Sequence, residues 1–346
     1  MKYPFFKSAM AFGLLFFALS NNVSAQSTWT TRISGTTINL YSVVWTGGQL
    51  VAVGNSGAVL TSPDGISWTT RTSGTTGYLN SVTWTGNQLV AVGDSGTVLT
   101  SPNGFSWTMR TLGTRSYLYS VAWTGSQLVA VGYTGAVHTS PDGIVWTTRI
   151  SSGTIGTWNS VTWAGNQLVA VGDSGAVLTS PNGISWTPRT SGTKLNLWSV
   201  AWTGSQLVAV GISGIIITSP DGISWTQRYV SGNSPSLFSV VWTGNQLVAV
   251  GPSGNVVASP DGISWTTRTS GTTNFLRSVV WTGSQFIAVG YLGTVLTSPQ
   301  VGTAIHSFEK QFSKTSSSKF FYNGTLKNML GQTIEEIPVP KIHQNK

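Results

Sequence analysis

The segment Ser62-Pro63-Asp64-Gly65-Ile66-Ser67-Trp68 decides the fold, because it returns with small changes along the chain. Proline suits the first central position of a β-turn, where its fixed φ is already correct. The aspartate can accept hydrogen bonds from its own backbone, and the glycine tolerates the positive φ that follows. The segment is therefore predicted to join two strands. Further copies begin at Ser101, Ser140, Ser180, Ser219 and Ser259, and a last one at Ser298 decays after Pro299.

Two series of seven tryptophans repeat with a spacing of 39 or 40 residues. One series ends Ser-Val-x-Trp segments, and the other opens Trp-Thr-x-Arg segments. A period near 40 with several short β-runs per unit is typical of a β-propeller blade. The first series is Trp45, Trp84, Trp123, Trp163, Trp202, Trp242 and Trp281, and the second is Trp29, Trp68, Trp107, Trp146, Trp186, Trp225 and Trp265.

One unit is predicted to hold four strands, namely Tyr41–Thr46 innermost, then Gln49–Val53, Ala58–Ser62 and Ile66–Thr72 at the edge. The second run is almost entirely apolar, as expected for a strand buried between neighbouring sheets. The edge run carries threonine and arginine, which suits a strand that must resist pairing with another molecule.

The two ends of the repeat region complement each other. Trp29-Thr30-Thr31-Arg32 precedes the first unit, while the last unit, Ser278–Pro299, has three strands and lacks such a segment. We therefore predict an all-β fold, a seven-bladed β-propeller of four-stranded blades over residues 27–300. The N-terminal strand closes the ring by completing the last blade. An open solenoid would need no complementary ends.

The repeat also resembles known families. The Ser-Pro-Asp-Gly-x-Ser-Trp turn resembles a shortened Asp-box, the repeat of bacterial neuraminidase repeat propellers. The whole unit, with x-Val-x-Trp-x-Gly and Leu-Val-Ala-Val-Gly, is similar to the photosystem II stability/assembly-factor-like propellers. The resemblance covers Ser27 to Pro299 and implies a seven-bladed ring. It says little about function, because one fold hosts many.

Residues 1–25 have the three parts of a secretory signal peptide. Lys2 and Lys7 are basic, Ala9–Leu19 is apolar but too short to span a bilayer, and cleavage is expected near Ala25. The protein is therefore predicted to be secreted, periplasmic or on the cell surface, with no transmembrane segment in the mature chain. The absence of cysteine excludes a lipid anchor on cysteine and disulfide bonds.

Residues 301–346 break the repeat. Lys327-Asn328-Met329-Leu330-Gly331-Gln332 resembles the end domains used for secretion sorting in some gliding bacteria, and a disordered tail is the alternative. The net charge is +9, and a mature chain without Lys2 and Lys7, at about +7, would favour acidic surfaces and anionic polymers, but no basic run is dense enough to predict nucleic-acid binding.

The repeats are poor in groups that catalyse reactions. They contain no cysteine and no glutamate between Ser27 and Gly302, and their one histidine, His138, occupies a strand position that is aliphatic in the other blades. A core histidine is the prediction there. We expect no enzyme activity, no cofactor and no metal. A sialidase-like glycoside hydrolase is the least favoured alternative, since it needs a Tyr–Glu nucleophile pair.

The Asp-box turns are predicted to be structural. Asparagine replaces aspartate in two of them, and this exchange keeps the hydrogen-bond acceptor but discards the charge. The position therefore needs geometry and no carboxylate. These turn residues are Asp64, Asn103, Asp142, Asn182, Asp221 and Asp261.

Two rows of residues vary while the scaffold repeats, and connectivity places both on one side of the ring. One row precedes Ser-Val-x-Trp and is expected in exposed loops, and the other opens the turn between the second and third strands. Varied aromatic and polar loop residues are typical of a binding surface. We predict a monomeric ring that binds a protein or an extracellular polysaccharide, with a carbohydrate-binding lectin as the alternative. The predicted face comprises Tyr41, Tyr119, Tyr133, Trp198, Phe238, Arg277, Tyr291, Asp94 and Asp173.

Overall fold

The computed structural model describes residues 28–150, 156–228 and 235–299, which form seven four-stranded antiparallel sheets. Each sheet is one blade, and the innermost strands of consecutive blades pack side by side until the seventh meets the first. The predicted seven-bladed ring is confirmed. The predicted signal peptide and the tail at 301–346 lie outside the described residues.

Strands are numbered in chain order, and blades 1 to 7 follow the same order. The innermost strands are β2 (Leu40–Trp45), β6 (Leu79–Trp84), β10 (Leu118–Trp123), β14 (Trp158–Trp163), β18 (Leu197–Trp202), β22 (Ser239–Trp242) and β26 (Leu276–Trp281). The second strands are β3 (Leu50–Gly54), β7 (Leu89–Gly93), β11 (Leu128–Gly132), β15 (Leu168–Gly172), β19 (Leu207–Gly211), β23 (Leu247–Val250) and β27 (Phe286–Gly290).

The third strands are β4 (Val59–Ser62), β8 (Thr97–Ser101), β12 (Ala136–Ser140), β16 (Ala176–Ser180), β20 (Ile216–Ser219), β24 (Val256–Ser259) and β28 (Val295–Thr297). The outer strands are β5 (Thr69–Arg71), β9 (Thr108–Thr111), β13 (Thr147–Ile150), β17 (Thr187–Thr190), β21 (Thr226–Arg228), β25 (Thr266–Arg268) and, in blade 7, β1 (Thr30–Arg32). Single 3₁₀ turns link the second and third strands at Asn55–Gly57, Asp94–Gly96, Tyr133–Gly135, Asp173–Gly175, Ile212–Gly214, Pro252–Gly254 and Tyr291–Gly293.

The core lies between the blades. In β3, Leu50 and Ala52 pack in one apolar cluster with residues of blade 7. Val51 and Val53 point to the other face and pack in a second cluster with blade 2. All four are fully buried, which confirms the prediction that the second strand is covered on both faces.

A belt of serine side chains joins every blade to the next around the ring. The Ser42 hydroxyl accepts a hydrogen bond of 3.2 Å from the backbone N–H of Val82 in blade 2. The last bond, from Val43 N–H to the Ser278 hydroxyl at 3.2 Å, joins blade 1 to blade 7. The repeated Ser-Val pair therefore satisfies a backbone donor at each blade boundary. The other acceptor–donor pairs are Ser81–Val121, Ser120–Val161, Ser160–Val200, Ser199–Val240 and Ser239–Val279.

The N-terminal strand closes the ring as predicted. Strand β1 pairs antiparallel with β28, with Thr30 opposite Thr297. Trp29 is buried at the edge of blade 7, with its ring centroid 6.0 Å from that of Phe286. The seventh blade thus takes three strands from one end of the repeat region and one strand from the other.

His138 fills a core position on β12, as predicted, and is 1% exposed. Its Nδ1 lies 3.2 Å from the Thr148 hydroxyl, and its Nε2 has no hydrogen-bond partner among the described residues. Burial lowers the pKa of the imidazole below its ordinary value of 6.5. The side chain is therefore held neutral with one polar atom unsatisfied.

Replacing His138 with leucine is expected to raise the free energy of unfolding by about 1–3 kcal/mol at pH 7, because the unsatisfied Nε2 disappears. The wild-type chain should also lose stability as the pH falls below 6.5, since the unfolded imidazole binds a proton that the folded one resists. That loss should be absent in H138L. Urea denaturation of both chains at pH 5 and pH 8 measures both effects, and equal pH dependence of the two would contradict the explanation.

Candidate functional site

A β-bulge near the start of the innermost strand sets the geometry of the site. In blade 1 the pairing with β3 shifts between Leu40 and Ser42, so that Tyr41 is the extra residue. Bulges re-aim a side chain and often lie beside binding sites. The corresponding extra residues in blades 2 to 5 and 7 are Asn80, Tyr119, Asn159, Trp198 and Arg277.

The bulge corrects one expectation from the sequence. The row that precedes Ser-Val-x-Trp is expected in exposed loops, but Tyr41, Trp198 and Arg277 lie within strands and are half-buried. Phe238 directly precedes β22 and donates its backbone N–H to the carbonyl oxygen of Val250 at 2.7 Å. The row is therefore part of the ordered sheet or directly adjoins it, and the residue type at this position varies from blade to blade without a change of strand structure.

A glycine at the end of each second strand brings the two variable rows together. A Cβ atom on Gly93 would overlap the carbonyl oxygen of Tyr78. Without that atom the chains approach closely, and the backbone N–H of Asp94 donates to the same oxygen at 3.0 Å. The turn residue is thereby fixed beside the bulge residue. The equivalent glycines are Gly54, Gly132, Gly172, Gly211, Gly251 and Gly290.

The residues that precede Ser-Val-x-Trp in the seven blades, together with some of the residues that open the turns after the second strands (the turn row), line one cavity of about 580 Å³. We call this cavity the axial mouth. Residues from all seven blades contribute to it. All nine residues of the predicted face line it, whereas three other members of the turn row, Asn55, Ile212 and Pro252, do not. The lining residues are Tyr41, Tyr78, Asn80, Asp94, Tyr117, Tyr119, Tyr133, Thr157, Asn159, Asp173, Trp198, Phe238, Arg277 and Tyr291.

One side of the mouth, formed by blades 2 to 4, carries two carboxylates, and we call it the polar pole. The Asn80 amide donates to Asp94 Oδ1 at 2.8 Å and to the carbonyl oxygen of Leu118 in blade 3 at 2.9 Å. The Asn159 amide makes the same pair of bonds to Asp173 Oδ1 at 2.9 Å and to Leu197 O at 3.0 Å. Both carboxylates are thus held in place by neutral donors.

Tyr119 lies in blade 3, between the two Asn–Asp pairs. Burial, together with the carboxylates of Asp94 and Asp173, raises the pKa of its hydroxyl. The hydroxyl therefore stays protonated at neutral pH and can donate a hydrogen bond to a ligand. The polar pole presents acceptors from two carboxylates and a donor from this phenol.

The other side of the mouth, formed by blades 5, 6, 7 and 1, is lined by aromatic rings, and we call it the aromatic arc. The ring centroids of Trp198 and Phe238 are 4.6 Å apart. The series continues through Phe275, which is not itself a lining residue and lies 6.2 Å from Phe238, to Tyr291, which stacks on Phe275 at 5.3 Å. The Tyr291 ring is in turn 6.3 Å from that of Tyr41. Such a contiguous surface can pack against apolar or planar side chains.

Arg277 lies inside the aromatic arc. Its guanidinium carbon is 4.5 Å from the centroid of the Phe238 ring and 5.8 Å from that of Tyr41. Its Nε is buried and has no hydrogen-bond partner among the described residues. Burial lowers the pKa of the guanidinium, which nevertheless remains charged. The arc therefore contains a cation that aromatic faces contact and that no carboxylate of the described chain neutralises.

The Asp-box turns lie away from the mouth, at the other end of the strands. Asp64 Oδ1 accepts hydrogen bonds from the backbone N–H groups of Ile66 at 2.8 Å and Ser67 at 3.2 Å. The bond from Ile66 is the main reason that the pKa of the Asp64 carboxyl is lowered. Asn103 Oδ1 accepts the same two bonds in blade 2, at 3.0 and 3.3 Å. The side chain thus shapes the turn, as predicted.

Sequence reasoning missed Asn80 and Asn159 as site residues, although both belong to the variable row. The signal was present, since asparagine at the bulge and aspartate at the turn, 14 residues later, occur together in blades 2 and 4. It also missed Tyr78, Tyr117 and Thr157, which line the mouth from the loops that enter the innermost strands.

Within residues 28–150, 156–228 and 235–299, no group of three or more His, Cys, Asp or Glu side chains could hold a metal ion. The helical segments of these ranges are single turns, and none is long and apolar enough to cross a membrane.

No protein-family model and no curated protein sequence matches the chain. Solved structures do match. YCF48 bound to D1 peptide has a TM-score of 0.66 at 20% identity, covering 79% of this chain and 97% of that one. The WD40 β-propeller domain of Doa1 has a TM-score of 0.68 at 13% identity, covering 80% and 98%. Virginiamycin B lyase from Staphylococcus aureus has a TM-score of 0.72 at 8% identity, covering 79% and 99%. At these identities the likeness shows the fold, and YCF48, a photosystem II assembly factor, matches the propeller type predicted from the sequence.

Proposed function

We propose that this protein is an exported, non-enzymatic scaffold that binds a segment of another protein in the axial mouth. The observation that carries the proposal is the convergence of the residues that precede Ser-Val-x-Trp, one from each blade, on one cavity with an aromatic arc and a polar pole. Aromatic and arginine side chains dominate the binding energy of protein interfaces. Export is supported by the signal-peptide pattern of residues 1–25.

Two further facts support a protein segment as the ligand. YCF48, whose fold this chain shares, has been solved with a bound peptide. The mouth is also asymmetric, because the row that precedes Ser-Val-x-Trp alternates tyrosine and asparagine in blades 1 to 4 but holds tryptophan, phenylalanine and arginine in blades 5 to 7. A lectin with one pocket per blade would need the same contacts repeated, so a single asymmetric footprint fits a single linear ligand better.

A non-enzymatic role is supported by the side chains at the mouth. Its carboxylates are Asp94 and Asp173, each held by an asparagine amide, and no described histidine lines it. The fold by itself does not distinguish an enzyme from a scaffold, since a lyase is among the proteins that share it.

Random peptides displayed on phage should yield binders to the purified ring. We expect Trp198→Ala to weaken their binding by about 30-fold, because truncating an aromatic anchor commonly costs about 2 kcal/mol. Since Trp198 is half-buried, melting curves must accompany the titrations, and Tyr133→Ala, at a residue 50% exposed, provides a second variant that spares the fold.

The matched control is Ile184→Ala, at an equally exposed apolar residue on the Asp-box side. This variant should bind like the wild type. Peptide binding that survives both mouth variants would remove the mouth from consideration. The lectin alternative would be favoured if no peptide binder is found and a glycan identified on an array titrates with a stoichiometry near seven.

A further inference from the structure

The axial mouth holds charges of opposite sign on opposite sides. Asp94 and Asp173 belong to blades 2 and 4 of the polar pole, and Arg277 belongs to blade 7 of the aromatic arc. Blades 5 and 6 separate Asp173 from Arg277 in one direction around the ring, and blade 1 separates Arg277 from Asp94 in the other. The mouth is therefore dipolar.

Neither side is neutralised from within the described chain. Each carboxylate receives its side-chain hydrogen bond from a neutral amide, through Oδ1 alone, which leaves Oδ2 available. Arg277 forms no ion pair with a described residue, and its Nε is desolvated without an acceptor. Arg115 and Lys194, in loops that enter innermost strands, are exposed and do not line the cavity.

An unpaired guanidinium with a buried Nε is unfavourable, because this atom is shielded from solvent and gains no acceptor from the described residues. A carboxylate from a ligand would balance this charge, and it can bind the terminal nitrogens of a guanidinium through two parallel bonds. At the polar pole the requirement is reversed. Two carboxylates beside the Tyr119 phenol favour an ammonium or guanidinium group.

We infer that the axial mouth recognises a peptide segment that carries both a carboxylate and a cationic side chain, with the carboxylate on Arg277 and the cation between Asp94 and Asp173. This inference rests on the proposed binding of a protein segment. An apolar side chain between the two charges packs on Trp198 and Phe238, whose rings contact each other in the arc, with Arg277 over the Phe238 ring. The carboxylate comes either from an acidic side chain or from a free chain end, which share the same chemistry.

The test uses synthetic versions of a peptide selected on the wild-type ring, each titrated by calorimetry. In one version the acidic residue is replaced by its amide, in a second the basic residue by glutamine, and in a third the chain end is amidated. We expect the wild-type ring to lose about ten-fold or more in affinity when either charge is removed. Comparison of the first and third versions identifies the source of the carboxylate.

Charge-removing variants of the ring then assign each charge to its side of the mouth. Arg277→Met should abolish the discrimination against the peptide that lacks the carboxylate and leave the discrimination at the basic residue intact. Asp94→Asn and Asp173→Asn should reduce the discrimination against the peptide that lacks the basic residue and leave the discrimination at the carboxylate intact. The fold should tolerate Asp94→Asn because Asn55 occupies the equivalent turn position in blade 1.

Because each comparison is a difference between two peptides on the same ring, a small loss of stability cancels. Discrimination that stays unchanged in the variants would overturn the inference. Peptides that bind the mouth without any charge preference would overturn it while leaving the proposed function intact. A ring that binds no peptide would overturn both.

Discussion

Removal of residues 27–34 is expected to abolish cooperative folding of the ring. These residues contain β1 and Trp29, the outer part of blade 7. Trp29 packs in a cluster with Val248, Val250 and Phe286, which joins blades 6 and 7. Deleting a buried tryptophan side chain alone costs about 3–5 kcal/mol, a large part of the total stability of a typical domain.

The deletion also exposes an edge. Strand β28 would lose the pairing of Val295, Leu296 and Thr297 with β1, and its unpaired backbone groups would be open to another chain. We therefore expect aggregation, or a broad unfolding transition in place of a sharp one, in calorimetry and light scattering.

Complementation tests the assignment directly. A synthetic peptide of residues 27–38, added to the truncated ring, should restore a cooperative transition, and the same peptide with Trp29→Ala should restore much less. Replacement of Thr30, an exposed residue of the same strand, should have little effect. A truncated chain that melts like the full ring would show that the N-terminal strand does not close it.

The sequence predicted the fold well because the evidence for it is local and repeated. The turn at Ser62–Trp68 needs only its own residues to be understood, and the unpaired segment at Trp29 together with the incomplete unit at Ser298 identifies the closure. Predicted strand bounds differ from the observed ones by at most three residues. The outer strand, for example, is Thr69–Arg71 where Ile66–Thr72 was expected.

The site was predicted only in part, because its geometry depends on pairing between strands. A prediction that assumes strict in–out alternation along the innermost strand does not detect the bulge. Leu40 and Val43 are both buried and three residues apart, and this spacing already indicates an extra residue between them. The orphaned Nε of Arg277 could not be inferred at all. It depends on which side chains from other blades surround the guanidinium, and these are far away in sequence.

Replacing Gly93 with alanine is expected to destabilise the ring by about 3 kcal/mol or more, at the upper end of what overpacking costs. The backbone at Gly93 has φ −165°, which alanine adopts freely, so the reason is steric alone. The new Cβ would overlap the carbonyl group of Tyr78 and contact Leu79 Cα, and these are backbone atoms that cannot rotate away. Strand β7 would have to move away from the bulge in β6.

Gly48→Ala is the matched control. Gly48 is exposed in a hairpin, with no atom within 4 Å of the place that the new methyl group would take, and the equivalent residue is asparagine or serine in the other blades. It should change the free energy of unfolding by less than about 0.5 kcal/mol. Urea titration of both variants measures the difference, and equal midpoints would contradict the steric argument.

Because the Gly93 contact also holds Asp94 beside Tyr78, G93A should lower the affinity for any ligand that binds at the polar pole, even where the ring remains folded. The same close approach that completes the blade thus places the carboxylate in the mouth.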